Sequence, residues 1–177
     1  MSKAAWTIVV ALAVTTGVVH AQEIAESHGA QLLSPFKQDL QEALRQGLSE
    51  GPVQAISACR VQAPEIAKAL SKEGIRLGRT SHRLRNPANS SPAWVSPFLE
   101  AYAINSADRA PRVVSLPNER SGYVEPILLQ ALCLTCHGEA LAPDVAARIN
   151  ELYPEDRAVD YKVGDLRGVF WVEFPAD

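Results

Sequence analysis

Apolar positions recur with a helical period in the first half of the chain and with a strand period near its end. Leu33, Phe36, Leu40, Leu44 and Leu48 fall at helical spacing around Ser34-Pro35. That dipeptide reads as a helix start, a capping hydroxyl followed by proline at the first helical position. Gly51-Pro52 ends the element. A second helix carries Val53, Ile56, Cys59, Ala63, Ile66 and Leu70; Pro64 is expected to kink or restart it, and Gly74 to stop it. The stretch IRLGRTSHRLRNPAN (75–89) reads as extended and arginine-rich, with a turn at Asn86-Pro87. Residues 94–107 predict a third, weaker helix, and Pro143–Leu152 a clear one that opens on proline. Residues 113–116 and 123–124 look like strands around a PNERSG turn, and a helical patch follows them. At the end, residues 161–163, Gly164-Asp165 and residues 166–174 read as a hairpin. Its long strand turns Phe170, Val172 and Phe174 to one face and Val169 and Trp171 to the other. No repeat, low-complexity tract or linker interrupts the pattern, which predicts one mixed α+β domain.

The first 21 residues have a different pattern. MSKAAWTIVVALAVTTGVVHA opens with Lys3, continues as an uncharged apolar run and ends in Val19-His20-Ala21, with small residues at the two positions a signal peptidase reads. The run falls short of the roughly 20 residues that cross a bilayer. It is therefore read as an export signal (1–21), with 22–177 as the mature domain and no stable membrane span after processing. An uncleaved N-terminal anchor is the alternative. Export implies an oxidising compartment, most simply a bacterial periplasm.

Composition narrows the function classes. A hydrophobic fraction of 47% and a charged fraction of 21% exclude a disordered chain and a membrane bundle. Seventeen Lys+Arg against 20 Asp+Glu give a net charge of −3, with no basic field, so nucleic acid is not expected as a partner. The 3 cysteines cannot all pair with one another, which excludes a disulfide framework. The single methionine is Met1, which leaves with the signal.

Cys133-Leu134-Thr135-Cys136-His137 is C-x-x-C-H, the attachment motif for c-type haem. Two cysteines three apart on a helical turn face the same way and can add to the two vinyl groups on one porphyrin edge. The histidine that follows then places an imidazole under the iron as proximal ligand. A redox disulfide or half a zinc site is the competing reading of C-x-x-C. The former lacks a βαβ context, and the latter needs two more ligands at matching spacing. The sixth iron position is open. Methionine, the usual ligand of an electron-carrying cytochrome c, is missing from the mature chain. His28, His82, Cys59, a lysine or a vacant position remain. His28 and His82 read as solvated, whereas Cys59 sits alone on the apolar face of its helix. Arg79, Arg83 and Arg85 suit haem propionates as well as they suit a solvated loop. Glu155-Asp156 reads as a solvated pair.

AISACRVQAPEIA (55–67), GRTSHRLRNPANSSPAW (78–94), GYVEPILLQALCLTCHG (122–138) and YPEDRAVDYKVGDLRG (153–168) together resemble the family of exported c-type haem-binding domains with a PAS-like fold, formerly a domain of unknown function. The resemblance runs over most of the mature chain. It implies an antiparallel sheet flanked by helices, with N-terminal helices preceding the sheet, in a stand-alone member of a group of small haem sensors. It also implies covalent haem c on Cys133 and Cys136, with His137 as proximal ligand and Cys59, at the position of the family's AIS-x-C cysteine, as the second axial ligand. One departure is visible: Asp160 stands where the family tends to have glycine before the tyrosine.

The expected function is an exported c-type haem protein sensing redox state or a small gas ligand, with an unidentified signalling or electron-transfer protein as partner. A periplasmic electron-transfer cytochrome and a five-coordinate, cytochrome c′-like helical bundle are the alternatives. No enzyme activity is expected, because no distal acid–base histidine can be named.

Overall fold

The computed structural model describes residues 10–176. The first nine residues of the assigned export signal lie outside them; the rest of that segment, with the Ala21-Gln22 junction, is helical. Helix α1 runs Val10–Glu50. The helix start expected at Ser34-Pro35 is therefore wrong, because Pro35 lies inside a continuous helix. Buried Leu33 and Phe36 hold the backbone on either side, while Pro35 and Gln31 face solvent, where water can take the carbonyl that proline leaves unbonded. The Ser34 hydroxyl does not cap; it accepts a hydrogen bond from Gln38 Nε2 at 3.2 Å. Helix α2, Pro52–Leu70, begins on proline after Gly51 as expected and runs unbroken through Pro64 without a restart. Among the described residues no helix is long and apolar enough to cross a membrane.

Strand β1 (Arg76–Thr80), helix α3 (Ser96–Ile104), strands β2 (Arg112–Leu116) and β3 (Arg120–Leu128), the short helix α4 (Leu134–His137), helix α5 (Pro143–Leu152) and strand β4 (Leu166–Pro175) follow. The strands form one antiparallel sheet in the order β1-β4-β3-β2. The chain reverses between β2 and β3 through Asn118 and Glu119, both at positive φ. The hairpin expected between residues 161–163 and β4 does not form. The ladder partners of β4 are β1 and β3, and the Tyr161 side chain is buried against Leu129 and Ala158, outside the sheet. Three residues of alternation were too short to specify pairing once a tyrosine had a core to enter.

The two faces of β4 are as predicted. Val172 and Phe174, with Leu77 and Tyr123, bury Leu33 and Phe36 of α1, and Phe170 packs at the edge of the same cluster. A Cβ on Gly29 would lie 2.4 Å from Tyr123 Cβ, so α1 crosses the sheet at a distance that only glycine permits. Val169 and Val124 on the other face pack against Val95, Leu99 and Tyr102, with Trp171 and Trp94 beside them. The architecture is α+β: a long N-terminal helix, then a four-stranded antiparallel sheet with flanking helices. A cytochrome c′-like helical bundle is thereby excluded. At one end of the sheet, α2 and α5 enclose a small cluster of Ile56, Val145, Ile149 and Tyr153.

Candidate functional site

The end of β3 is tied to the turn before β4, with the Leu129 N–H donating to Asp165 O at 3.0 Å and the Gly164 N–H to Leu129 O at 2.8 Å. From that fixed point a 3-10 turn, Ala131–Cys133, leads directly into α4. The motif thus sits on a tight helical patch, as its spacing requires. Cys133 packs beside Leu129, Ala158 and Tyr161, whereas Cys136 packs into the cluster between α2 and α5. Cys59, Cys133 and Cys136 are all free, half-buried thiols.

His137 is the most constrained residue of the motif. Its Nδ1 lies 2.7 Å from the Ala158 carbonyl. A carbonyl oxygen can only accept, so Nδ1 carries the proton and Nε2 keeps its lone pair. Burial, reinforced by the Arg85 and Arg167 cations, pulls the pKa of the ring down to about 3. The imidazole is therefore neutral at ordinary pH, the state a metal ligand needs. The Tyr161 ring stands edge-on to it at 6.3 Å.

The acceptor is held as firmly as the donor. The Asp160 N–H bonds Gly138 O at 3.1 Å and the Tyr161 N–H bonds His137 O at 3.0 Å, stitching residues 160–161 to the end of α4. From the other side, Arg83 donates through Nε to Arg157 O at 2.9 Å and through Nη2 to Val159 O, and its guanidinium lies 4.4 Å from the Tyr161 ring centroid. Arg85 Nη2 donates to Cys136 O at 2.6 Å and to Ala158 O at 3.2 Å. Asp160 has φ 60, the left-handed conformation that glycine adopts freely and aspartate tolerates. The departure from glycine at this position leaves the turn intact.

Cys59 lies on α2, which packs against α4. Burial pushes its thiol pKa up, while the Arg79 and Arg85 cations pull the other way. The thiol of Cys136 is also raised, by burial first, with the Cys59 thiol contributing to the rise. The thiols of Cys59 and Cys136 and the imidazole of His137 thus share one neighbourhood, and Arg85 acts on all three. His28 does not join them. It packs on Phe174, at 4.9 Å between ring centroids, near the far end of β4. His82 is exposed on the turn after β1.

Three groups at the site escaped the sequence reading. The Ala158 carbonyl is backbone and carries no sequence signal. Arg83 and Arg85 brace residues 157–159, a task the sequence reading did not give them. Asp156, read as solvated, is buried and lies 3.1 Å from Arg85 Nη2. Arg79 has no side-chain hydrogen bond or ion pair among the described residues, and Arg85 Nε is buried without an acceptor.

A groove of about 630 Å³, lined by Val53, Ser57, Val61 and Arg148, lies on the face of α2 turned away from Cys59. A smaller one of about 320 Å³ opens beside Gly138, between α5 and residues 156–160.

The donor set fits a c-type haem: two free thiols three apart, a neutral imidazole with one nitrogen open, a third thiol on the neighbouring helix, and one cation, Arg79, with no carboxylate partner among the described residues. Among the described residues, no three His, Cys, Asp or Glu side chains are grouped to hold a bare metal ion. A zinc site therefore lacks its remaining ligands.

Fold and site define one class: a long-helix-led α+β domain whose antiparallel sheet carries a thiol–thiol–imidazole turn at one end. The family model described as Tll0287-like (Tll0287) matches residues 6–175, and the chain belongs to that family. Among solved structures the chain is similar to the cyanobacterial heme-protein Tll0287. The two are 28% identical over 91% of this chain and 94% of that one, with a TM-score of 0.57. No curated protein matches the chain.

Proposed function

We propose that residues 22–177 form an exported, periplasmic c-type haem protein that senses redox state or a small ligand and has no catalytic activity of its own. Cys133 and Cys136 would hold the haem through thioethers, and His137 Nε2 and Cys59 Sγ would bind its iron. The observation that carries the reading is the packing of Cys59-bearing α2 against α4, where His137 has already committed Nδ1 to Ala158 and left Nε2 open. Membership of the Tll0287-like family, and similarity to a heme-protein, support the cofactor. Bound haem supplies a one-electron iron couple and an axial position for which a small ligand can compete.

The chain's own residues do the rest. Ala158 fixes the tautomer of His137, Arg79 would pair with an anionic group of the haem, and the apolar cluster around Ile56 and Ile149 would exclude water. Cys59, as thiolate, would favour ferric iron and give a lower potential than a His/Met cytochrome. Its release would free α2 from α4, which gives a partner protein a change of shape to read.

Mass spectrometry of protein matured in a periplasm tests the cofactor. The haem mass should survive denaturation, and should be lost from a Cys133→Ser/Cys136→Ser variant; haem that dissociates from the wild type on denaturation contradicts the reading. Carbon monoxide tests the sensor role. Added to reduced protein, it should remove the thiolate from the spectrum and speed amide exchange in α2 severalfold. A reversible one-electron couple with neither change points instead to a plain electron carrier.

A further inference from the structure

Arg85 and Asp156 are the two buried opposite charges at the site, with side chains 12% and 5% exposed. A buried ion pair is expensive unless its remaining polar atoms find partners. Asp156 Oδ2 and Arg85 Nε have no hydrogen-bond partner among the described residues, and the partners the pair does have converge on the support of His137. Asp156 Oδ1 accepts the Ala158 N–H at 2.8 Å. Arg85 Nη2 donates to the Ala158 carbonyl at 3.2 Å, and that same oxygen accepts from His137 Nδ1 at 2.7 Å. Nη2 also donates to the Cys136 carbonyl at 2.6 Å, so its two hydrogens join the motif helix to the acceptor of the histidine, while Asp156 Oδ2 stands 3.1 Å away as its ion-pair partner. The acid holds the N–H of Ala158, and the cation holds its oxygen.

We propose that Arg85 and Asp156 act as one positioning unit, which presents the Ala158 carbonyl to His137 and limits how strongly that carbonyl polarises the ring. A carbonyl oxygen has two lone pairs and can serve both donors. What it gives to Arg85, however, it does not give to the Nδ1–H bond that raises the basicity of the ligand. The Ala158 carbonyl keeps the ring in the tautomer with Nε2 open, and Arg85 moderates the donation of that nitrogen. Asp156 keeps Arg85 in place. The effect on iron rests on the haem reading above; the effect on the ring does not.

Two variants with opposite charge changes separate this from simple electrostatics. Arg85→Gln removes a cation, and Asp156→Asn removes an anion while its Oδ1 can still accept the Ala158 N–H. Both release the Ala158 carbonyl to His137 alone. In haem-loaded protein both should therefore favour ferric iron by about tenfold, a downward shift of about 59 mV in midpoint potential for one electron. Through-space charge alone predicts opposite signs, down for Arg85→Gln and up for Asp156→Asn; opposite signs, or no shift in either, overturn the proposal. Nitrogen-15 NMR of the full chain without haem supplies a second readout. The wild type should show a His137 Nδ1–H signal, and in both variants, where the Ala158 carbonyl serves that proton alone, it should move downfield and exchange about tenfold more slowly; faster exchange in both overturns the proposal. An unchanged proton in both overturns the positioning role, whatever the haem result. Arg85→Lys keeps the charge and a donor, and should return the proton most of the way to its wild-type shift and exchange rate; if Arg85→Gln does not fold, Arg85→Lys is compared with Asp156→Asn. A wild type that takes up no haem refutes the functional reading, and the NMR comparison still decides this one.

Discussion

A half-buried imidazole that already donates from Nδ1, with Arg85 and Arg167 beside it, resists a second proton. Its pKa of about 3 in the fold compares with roughly 6.5 in an unfolded chain. Between those values the unfolded chain binds the extra proton and the folded one does not. The stability that His137 contributes to haem-free protein is therefore complete above about pH 6.5 and is lost as pH falls toward 3, by roughly 1 kcal/mol per unit. Urea midpoints across that range should fall more steeply for the wild type than for His137→Gln; parallel slopes would count against the assigned environment. The residues of the motif were legible because their chemistry is local, two thiols and an imidazole within five positions. The acceptor of His137 was not, being a backbone oxygen 21 residues away in sequence. Asp156 was misread for a related reason: its cation stands on a segment that only the folded chain brings near. Cys59 was one candidate among several until the family resemblance made it the preferred one. A lone cysteine on an apolar helix face is usually just buried, and here it is half-buried beside Cys136 and Arg85.

At the scale of elements, α2, α5 and β4 were legible in the amphipathic pattern, and β4 with the correct division of its faces. The start of α1 was not. Ser34-Pro35 has the chemistry of a helix start, but Leu33 and Phe36 bury on the sheet from one unbroken helix, and packing outweighs the lost hydrogen bond. That loss is still present in the folded protein. Pro35→Ala restores an N–H able to bond Gln31 O on the solvent side, and should raise stability by about 1–3 kcal/mol in chemical denaturation. Unchanged or lower stability would mean that proline is needed there for the path of the helix. Residues 161–163 failed as a strand because Tyr161 enters the core beside Ala158. Sequence alternation cannot distinguish that choice from sheet pairing.

In the whole molecule, the sheet connects distant parts of the chain into one site. β1 leads into the arginine segment, β3 into the C-x-x-C-H turn, and the loop before β4 supplies the histidine's acceptor. α2 brings Cys59 from a helix hairpin at the other end of the sequence. The fold class was readable from the succession of periods; the convergence of these four segments was not, because it depends on the strand order β1-β4-β3-β2. The central proposal is that Cys59 would serve with His137 as a ligand of the haem iron. Electron paramagnetic resonance of ferric, haem-loaded protein compared with Cys59→Ala tests it most directly. The wild type should give a thiolate-ligated low-spin signal, and the variant should lose it to a high-spin species or to a low-spin species of different anisotropy. An unchanged low-spin signal in Cys59→Ala would contradict the account.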